Sequence, residues 1–284
     1  MALTPLPRIV FEPLVRAALL EDLGRAGDLT TDAIVPPDAT ATMVLAARQP
    51  GVIAGLAVAA LAFELIDPRT EVTIINADGS GVSAGDIIAS VRGPARALLT
   101  AERMALNLLC HLSGIATQTA AIVDTVRGHK AKIVCTRKTT PGLRALEKYA
   151  VRAGGGGNHR FGLDDALLIK DNHIAIAGGI RTAIERARAA AGHMVKIEVE
   201  VDTLEQLDMA LATGVDAVLL DNMSIEQLTR AVAMVGGRAI TEASGRVTVQ
   251  TAPAIAATGV DLISVGWITH SAPILDIGMD MAGG

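Results

Sequence analysis

The chain has 284 residues; half are hydrophobic, 2% are aromatic, and the formal net charge is −5. This length allows one α/β barrel or two smaller domains, each with a full hydrophobic core. Scarce aromatic side chains and an acidic balance argue against a stacking platform for single-stranded nucleic acid and against a general binder of phosphate backbones.

No stretch of the sequence has the features of an export signal or a membrane span. The N-terminal residues lack the basic region, apolar core and small-residue cleavage site of a secretory signal. The apolar stretch 51–63 is too short to cross a bilayer. Cys110 and Cys135 lie in apolar surroundings without metal-ligand spacing, which favours buried, reduced thiols. We therefore expect a cytoplasmic protein.

The first part of the chain predicts an α+β layer with few clustered polar groups. Apolar residues recur at helical spacing over residues 12–23, with Pro13 early and Gly24 just beyond the end. The pattern further predicts a helix over 56–66 and strands over 41–47, 51–54, 71–77 and 86–91. We assign this part of the chain a mainly structural role.

A long apolar helix is expected after Gly93-Pro94. It should run over 95–112 and end at Gly114, with a second helix continuing to residue 127. We place the domain boundary here. The predicted domains are 1–112 and 113–273, and the C-terminal tail 274–284 is expected to pack with the first.

From residue 132 onward, short apolar strands alternate with helices, and each strand ends in small or polar residues. The predicted strands are 132–136, 165–169, 195–200, 216–220, 238–241 and 262–265. Polar groups at successive strand ends are how an α/β barrel builds an active site. Because a regular barrel has eight strands, six indicate either an incomplete barrel or further strands that the pattern does not show.

One of these strands alternates strictly between charged and aliphatic residues. Lys196, Glu198 and Glu200 share one face, and the intervening aliphatic residues share the other. In a barrel the aliphatic face meets the helices, so the charged face should line the lumen. Carboxylates there need cations or a metal, and the strand therefore predicts a ligand.

A local excess of positive charge lies between residues 137 and 170, with seven Lys or Arg against three acids. Such residues are usually surface charges, but several convergent cations at strand ends are what dicarboxylates and phosphates require. The glycine run 154–157 could be a flexible loop or an anion-binding nest. Ser244, Gly245 and Gly266 follow the last two strands, where barrels commonly hold phosphates.

Six motifs occur in order along the chain: TRKTTPGLR, GGGGNHR, LLIKDNHI, EVEV, LLDN and EASG. In this combination the chain resembles the quinolinate phosphoribosyltransferase family from Asp28 to Gly266. The resemblance implies an N-terminal α/β sandwich domain followed by an irregular α/β barrel with its active site at one end of the lumen. It also implies phosphoribosyl transfer from 5-phosphoribosyl diphosphate to quinolinate, giving nicotinate mononucleotide, pyrophosphate and carbon dioxide in de novo NAD synthesis.

The resemblance implies roles for particular residues as well. The candidate catalytic residues are Lys138, Lys170, Glu200 and Asp221. The two carboxylates are expected to bind Mg²⁺ together with the diphosphate, although they could instead form an ordinary salt-bridge set. The candidate substrate-binding residues are Arg103, Arg137, His159, Arg160, Ser244, Gly245 and Gly266. His159 could equally be a satisfied loop histidine.

Arg103 lies on a helix before the barrel strands. In the family the matching arginine comes from the neighbouring subunit, so a homodimer, or a hexamer of dimers, with shared active sites is expected. Neither nucleic acid nor a membrane is expected as a partner.

Two other functions are compatible with these features: a nicotinate phosphoribosyltransferase that does not decarboxylate, and a non-catalytic anion-binding paralogue such as the molybdenum-transport-associated relatives. The intact lysine in IKDNH favours an enzyme over the binding protein. Arg246 and Trp267 depart from the family pattern, and both adjoin the proposed phosphate site.

Overall fold

The computed structural model describes residues 3–283, which form two compact units. The first unit contains the chain up to Ala120, Thr139–Gly155 and the residues from Ile268 onward; the second contains Ala121–Lys138 and Gly156–Trp267. The domain limits 1–112 and 113–273 stay a prediction.

The helices of the described residues are α1 (Arg8–Leu23), α2 (Leu29–Ile34), α3 (Leu56–Ile66), α4 (Ala95–Thr125), α5 (Arg144–Ala153), α6 (Asp171–Ala177), α7 (Ile180–Ala190), α8 (Leu204–Thr213), α9 (Ile225–Val235), α10 (Ala252–Ala257) and α11 (Trp267–His270). The strands are β1 (Thr40–Ala47), β2 (Gly51–Val52), β3 (Glu71–Ile74), β4 (Gly81–Val82), β5 (Ile87–Pro94), β6 (Lys132–Val134), β7 (Leu167–Ile169), β8 (Ile197–Val201), β9 (Ala217–Asp221), β10 (Ile240–Ser244), β11 (Leu262–Ser264) and β12 (Ile277–Met281).

The first unit is built on an antiparallel sheet in the order β12-β1-β5-β3. β1 lies between β5 and the C-terminal strand, with Met43 opposite both Val91 and Met281. Leu45, Phe63 and Ile88 are almost completely buried and belong to the core of this unit. The two cysteines are buried and neither forms a disulfide, as their apolar surroundings predicted.

Helix α4 is continuous from Ala95 to Thr125, so the predicted helix break at Gly114 is wrong. A Cβ at position 114 would lie 2.1 Å from the carbonyl oxygen of Pro273 and 2.9 Å from the Cα of Ile274. Glycine is present because another backbone segment passes against the helix, although it costs about 1 kcal/mol of helix propensity relative to alanine. The glycine thus marks a close approach and not a helix end.

Among residues 3–283, α4 is the one helix long and apolar enough, by length and composition, to cross a membrane. Within its most apolar window 61% of the residues are buried in the protein. Such burial is typical of a core helix.

The second unit is an α/β barrel of six parallel strands in the order β6-β11-β10-β9-β8-β7. All six predicted strands are present, within three residues of their predicted ends. Gly157 extends the β6 edge, since its N–H donates to the Ile133 oxygen at 2.8 Å and its oxygen accepts from Cys135 N–H at 3.1 Å. Between residues 3 and 283 no hydrogen-bonded ladder joins β7 to this edge, so the barrel is incomplete.

Candidate active site

The strand register brings several charged residues onto the inner face of the sheet. Glu200 of β8 and Glu242 of β10 both pair with Leu219 of β9, and neighbours in register on parallel strands point to the same face. Leu168 of β7 pairs with Glu198, which places Lys170, two residues later, level with Glu200. The alternation in β8 therefore does put Glu198 and Glu200 on one charged face.

Lys170 and Glu200 form an ion pair at the carboxyl ends of β7 and β8. Lys170 Nζ lies 2.7 Å from Glu200 Oε2. The Lys170 backbone N–H donates to His173 Nδ1 at 2.9 Å, at the start of α6. The lysine is thus fixed by its backbone, while its side chain remains about half exposed and accessible to a ligand.

Arg137 and Arg160 form a partly buried pair of like charges. Arg160 Nη1 donates to the Ala166 oxygen at 3.0 Å, and Arg137 Nε is buried without a hydrogen-bond partner in the described part of the chain. Burial, followed by the positive charge of Arg137, lowers the pKa of the Arg160 guanidinium. Two guanidinium groups that repel each other, one with an unused donor, form a site that a bound anion would stabilise.

His159 lies between two buried glutamates. Its Nε2 is 3.0 Å from Glu198 Oε2 and 3.5 Å from Glu242 Oε2, while its Nδ1 accepts from the Arg160 backbone N–H at 2.7 Å. Both ring nitrogens therefore have partners inside the protein. The direct substrate contact expected of His159 stays a prediction.

Glu242 is the most buried of these groups, with 1% of its surface exposed and Oε1 without a hydrogen-bond partner. Burial, and then the negative charge of Glu198, raise the pKa of the Glu242 carboxyl to about 7. The sequence analysis does not single out Glu242. It identified Glu198 only as one charge on an alternating strand, since no sequence spacing links either residue to His159.

Replacing Glu242 with glutamine is expected to stabilise the protein more at pH 8 than at pH 5. The pKa of this carboxyl in the folded protein, about 7, lies above its ordinary value of 4.5, so the folded state binds more protons between these pH values. The stability associated with the protonated carboxyl is therefore complete below about pH 4.5 and is lost as the pH rises through 7. The test is to measure the melting temperatures of the wild type and of Glu242→Gln from pH 5 to pH 8. A difference in melting temperature that does not change with pH contradicts the prediction.

Asp221 and Asn222 at the end of β9 are fixed against the end of β10. Asn222 Nδ2 donates to Asp221 Oδ2 at 2.6 Å, and the Asn222 backbone N–H donates to the Ser244 oxygen at 2.9 Å. Asn222 and Arg246 both have a positive backbone φ, 51° and 47° respectively, which residues other than glycine rarely adopt. Such backbone conformations cluster at ligand-binding sites, where the surrounding structure maintains them.

Alanine at position 245 is expected to disrupt this corner. Gly245 has a φ of 105°, and a Cβ there would lie 2.2 Å from Asn222 Oδ1 and 3.0 Å from Asn222 Cα. We expect a loss of stability on the order of 2 kcal/mol or more, because both the backbone and the contact are strained. Gly259→Ala is the matched control: its φ is 89°, but its nearest neighbour, Val232 Cγ1, is 3.6 Å away. Equal losses of stability in the two variants, measured by urea unfolding, would show that the contact with Asn222 costs nothing.

The other candidate residues occupy several places in the fold. Lys138 follows β6 and is exposed, and its backbone N–H donates to Thr136 Oγ1 at 3.0 Å. Gly266 lies just beyond β11, and the Trp267 indole N–H donates to the Val247 oxygen at 2.8 Å. Arg103 is exposed on α4, in the first unit. The strand ends of the second unit, together with the loop before β7 that contains His159 and Arg160, thus carry every candidate residue except Arg103.

Two family models together match most of the chain. The model of the quinolinate phosphoribosyl transferase N-terminal domain matches residues 28–113, and the model of the C-terminal domain of the same family matches residues 115–280. Their junction lies within α4.

Curated proteins and solved structures agree with these models. The nicotinate-nucleotide pyrophosphorylase [carboxylating] of Mycobacterium leprae is 50% identical over 94% of this chain and 95% of its own length. The probable enzyme of the same name from Bacillus subtilis is 47% identical over 94% of this chain and 92% of its own. The crystal structure of NadC from Streptococcus pyogenes has a TM-score of 0.95 and 43% identity, covering 98% of both chains.

A more distant structure, human nicotinic acid phosphoribosyltransferase, has a TM-score of 0.64 at 14% identity, which shows a shared fold alone. The matched domains, the identities over nearly full length and the incomplete six-stranded barrel lead to one assignment. The chain belongs to the quinolinate phosphoribosyltransferase family.

Proposed function

We propose that this protein is a quinolinate phosphoribosyltransferase that converts quinolinate and 5-phosphoribosyl diphosphate into nicotinate mononucleotide, pyrophosphate and carbon dioxide in NAD biosynthesis. The observation that carries the proposal is the 50% identity, over nearly the full length of both chains, with a relative named as a carboxylating nicotinate-nucleotide pyrophosphorylase. The cationic strand ends support it, because both substrates are anions.

The guanidinium pair of Arg137 and Arg160 is suited to the dicarboxylate. The unused Arg137 Nε and the repulsion between the two groups both favour a planar, doubly charged ligand over a monoanion. We assign Arg103 of a neighbouring subunit and Lys138 to the same substrate as proposals; His159, whose ring nitrogens both have partners in the protein, would act on it through Arg160. Lys170 would serve both substrates from the end of β7.

In the transfer step, positive charge develops on the ribosyl carbon and negative charge on the pyrophosphate, and both must be stabilised. A bond forms between the ring nitrogen and the anomeric carbon, and the bond from that carbon to pyrophosphate breaks with its electron pair leaving on oxygen. Lys138 and Lys170 would stabilise the departing pyrophosphate, while Glu200 and Asp221 would face the ribosyl cation. Ser244, Gly245 and Gly266 would bind the ribose phosphate at the ends of β10 and β11.

The positive charge on the pyridine ring of the new nucleotide favours the loss of carbon dioxide. The bond to the carboxylate beside the ring nitrogen breaks, carbon dioxide leaves, and the electron pair stays on the ring carbon, which then takes up a proton from water. The positively charged ring and the nearby cations stabilise this carbanion, so the proposal requires no general acid for the step.

The carboxylates of Glu200 and Asp221 fit a magnesium ion shared with a diphosphate. They stand at the ends of adjacent strands, and each uses one oxygen for a protein partner, Lys170 for Glu200 and Asn222 for Asp221. Magnesium bound to a polyphosphate usually takes one or two protein carboxylates and several other oxygens. When bound, the ion would neutralise charge on the leaving pyrophosphate.

Removal of divalent cations is expected to abolish turnover, and added magnesium should restore it. The reason is the charge of the diphosphate, which Lys138 and Lys170 alone cannot neutralise. Activity is measured after treatment with a chelator and gel filtration, with and without MgCl₂. Full activity in the stripped sample would remove the metal from the mechanism.

A homodimer, or a hexamer of dimers, with shared active sites is proposed on the basis of Arg103. This arginine is exposed on α4 and has no assigned function within its own unit. A cytoplasmic location is proposed as well, in keeping with the two buried cysteines, neither of which forms a disulfide.

A direct assay tests the function. The purified protein is incubated with 5-phosphoribosyl diphosphate and either quinolinate or nicotinate, and nicotinate mononucleotide and carbon dioxide are quantified. Product and equimolar carbon dioxide from quinolinate alone support the proposal. Turnover of nicotinate without carbon dioxide would favour the non-decarboxylating transferase, and no product from either compound would favour an anion-binding protein.

A further inference from the structure

The cluster of His159, Glu198 and Glu242 has two possible chemistries. One ligand-type atom from each residue lies within 4.8 Å of the others, which is close enough to surround a metal ion. Alternatively, the same atoms form a buried hydrogen-bond network in which the histidine donates to the glutamates. Nε2 of the ring faces both carboxylates, so the position of the imidazole proton decides between these possibilities.

The backbone of Arg160 fixes the position of that proton. Its N–H lies 2.7 Å from His159 Nδ1, and a backbone N–H can only donate, so Nδ1 must present a lone pair. The proton of a neutral imidazole then resides on Nε2 and is directed at Glu198 Oε2, 3.0 Å away. A nitrogen that carries a proton has no lone pair for a metal. A protonated, cationic ring is excluded as well, because it would direct an Nδ1–H at the Arg160 N–H.

We propose that Glu198 and Glu242 are positioning residues that hold His159 as the neutral Nε2–H tautomer, whose Nδ1 anchors the Arg160 backbone and so orients Arg160 toward the substrate carboxylates. This inference rests on the proposed function, in which Arg160 binds quinolinate. It makes His159 a support for the arginine next to it.

The burial of the two acids supports this arrangement. Glu198 accepts the one available imidazole proton at the shorter distance, and Glu242, at 3.5 Å, has an unpaired buried oxygen beside a second carboxylate. Burial, followed by the charge of Glu198, raises the pKa of Glu242, and a cationic His159 would oppose this rise whereas a neutral ring would not. A protonated Glu242 removes the need for a cationic histidine to balance the pair.

The first test observes the tautomer itself in the wild-type protein. Nitrogen-15 NMR of protein labelled in its six histidines, with the His159 signals assigned by their loss in His159→Gln, distinguishes protonated from unprotonated ring nitrogens. We expect His159 to show a protonated Nε2 and an unprotonated Nδ1 from pH 6 to pH 8. A proton on Nδ1 at pH 7 would overturn the proposal.

The second test separates positioning from a general effect on the site. Glu198→Leu removes the nearer acceptor and should raise KM for quinolinate by about tenfold or more, with kcat and KM for 5-phosphoribosyl diphosphate changed less than about twofold. Glu198→Gln keeps an acceptor oxygen and should recover most of the lost affinity. Glu185→Leu, an exposed glutamate on α7, is the matched control. Equal increases in KM for both substrates, or an unchanged KM for quinolinate in Glu198→Leu, would overturn the proposal.

Metal analysis provides a third result. One equivalent of zinc in the purified wild-type protein that is lost in His159→Gln would show that the cluster is a metal site and overturn the proposal. The NMR result does not depend on turnover. An inactive wild-type protein with the expected tautomer would therefore refute the proposed function and leave the hydrogen-bond network supported.

Discussion

Lys170→Ala is expected to lower kcat/KM by about 1000-fold or more while leaving the fold unchanged. The Lys170 ammonium lies 2.7 Å from Glu200 at the carboxyl ends of the strands, and the lysine side chain is about half exposed, so its loss removes a ligand-facing charge and little packing. Lys138→Ala, in the loop after β6, should have a similar effect. Steady-state kinetics measure the loss, and circular dichroism with thermal melting checks the fold.

The chain offers a matched control for Lys170 at the opposite end of the barrel. Lys196 forms an ion pair of the same kind, with its Nζ 2.6 Å from Asp216 Oδ1, where β8 and β9 begin. Because α/β barrels place their active sites at the carboxyl ends of the strands, Lys196→Ala should retain nearly full activity. Near-native turnover by Lys170→Ala, or an equal loss in Lys196→Ala, would refute the assignment of the catalytic end.

Mixing inactive Arg103→Ala subunits with inactive Lys170→Ala subunits is expected to restore activity. If Arg103 reaches the barrel of the partner, one active site of each mixed dimer contains both substitutions and the other active site contains neither. Random exchange gives about half mixed dimers, so about a quarter of wild-type activity is expected from symmetry alone. The measurement is turnover after mixing, with subunit exchange followed by mass spectrometry of tagged chains.

The control for this experiment is a mixture of Lys138→Ala and Lys170→Ala subunits. Both lysines belong to the barrel of their own chain, so every site in such a mixed dimer contains one defect and activity should stay at background. If subunit exchange is complete and the mixture of Arg103→Ala with Lys170→Ala subunits also stays inactive, the prediction is contradicted: Arg103 then acts within its own chain or not at all.

Local sequence patterns predicted the barrel strands because buried parallel strands are short apolar runs with polar ends. The run of β9, Ala217–Asp221, is an example, and the alternation in β8 also predicted which of its residues face inward. The helix end predicted at Gly114 is wrong because the segment that packs on this glycine, Pro273 and Ile274, lies far along the chain. A glycine alone does not show whether it ends a helix or admits a neighbour.

The candidate site was predictable as a set of strand-end charges, but its internal pairing was not. Lys170 and Glu200 are 30 residues apart in sequence and meet because β7 and β8 are neighbours in register. The contacts of His159 with Glu198 and Glu242 require the order of three strand ends and the course of a loop. The positive φ of Asn222 and Arg246 likewise depends on how β9 and β10 end together, which no local signal reports.

The pairing of β12 with β1 determines when the first unit can be completed during synthesis. Residues 277–281 form an edge of the sheet next to residues 43–47, so the chain must have emerged from the ribosome as far as residue 281 before this edge can form. Until then β1 exposes an unpaired edge, which is prone to pairing with other chains. The six barrel strands end at Ser264 and all emerge earlier. A stop codon or an insertion placed within residues 277–281 would therefore impair the sheet that contains the first strand of the protein, far from the site of the change in sequence.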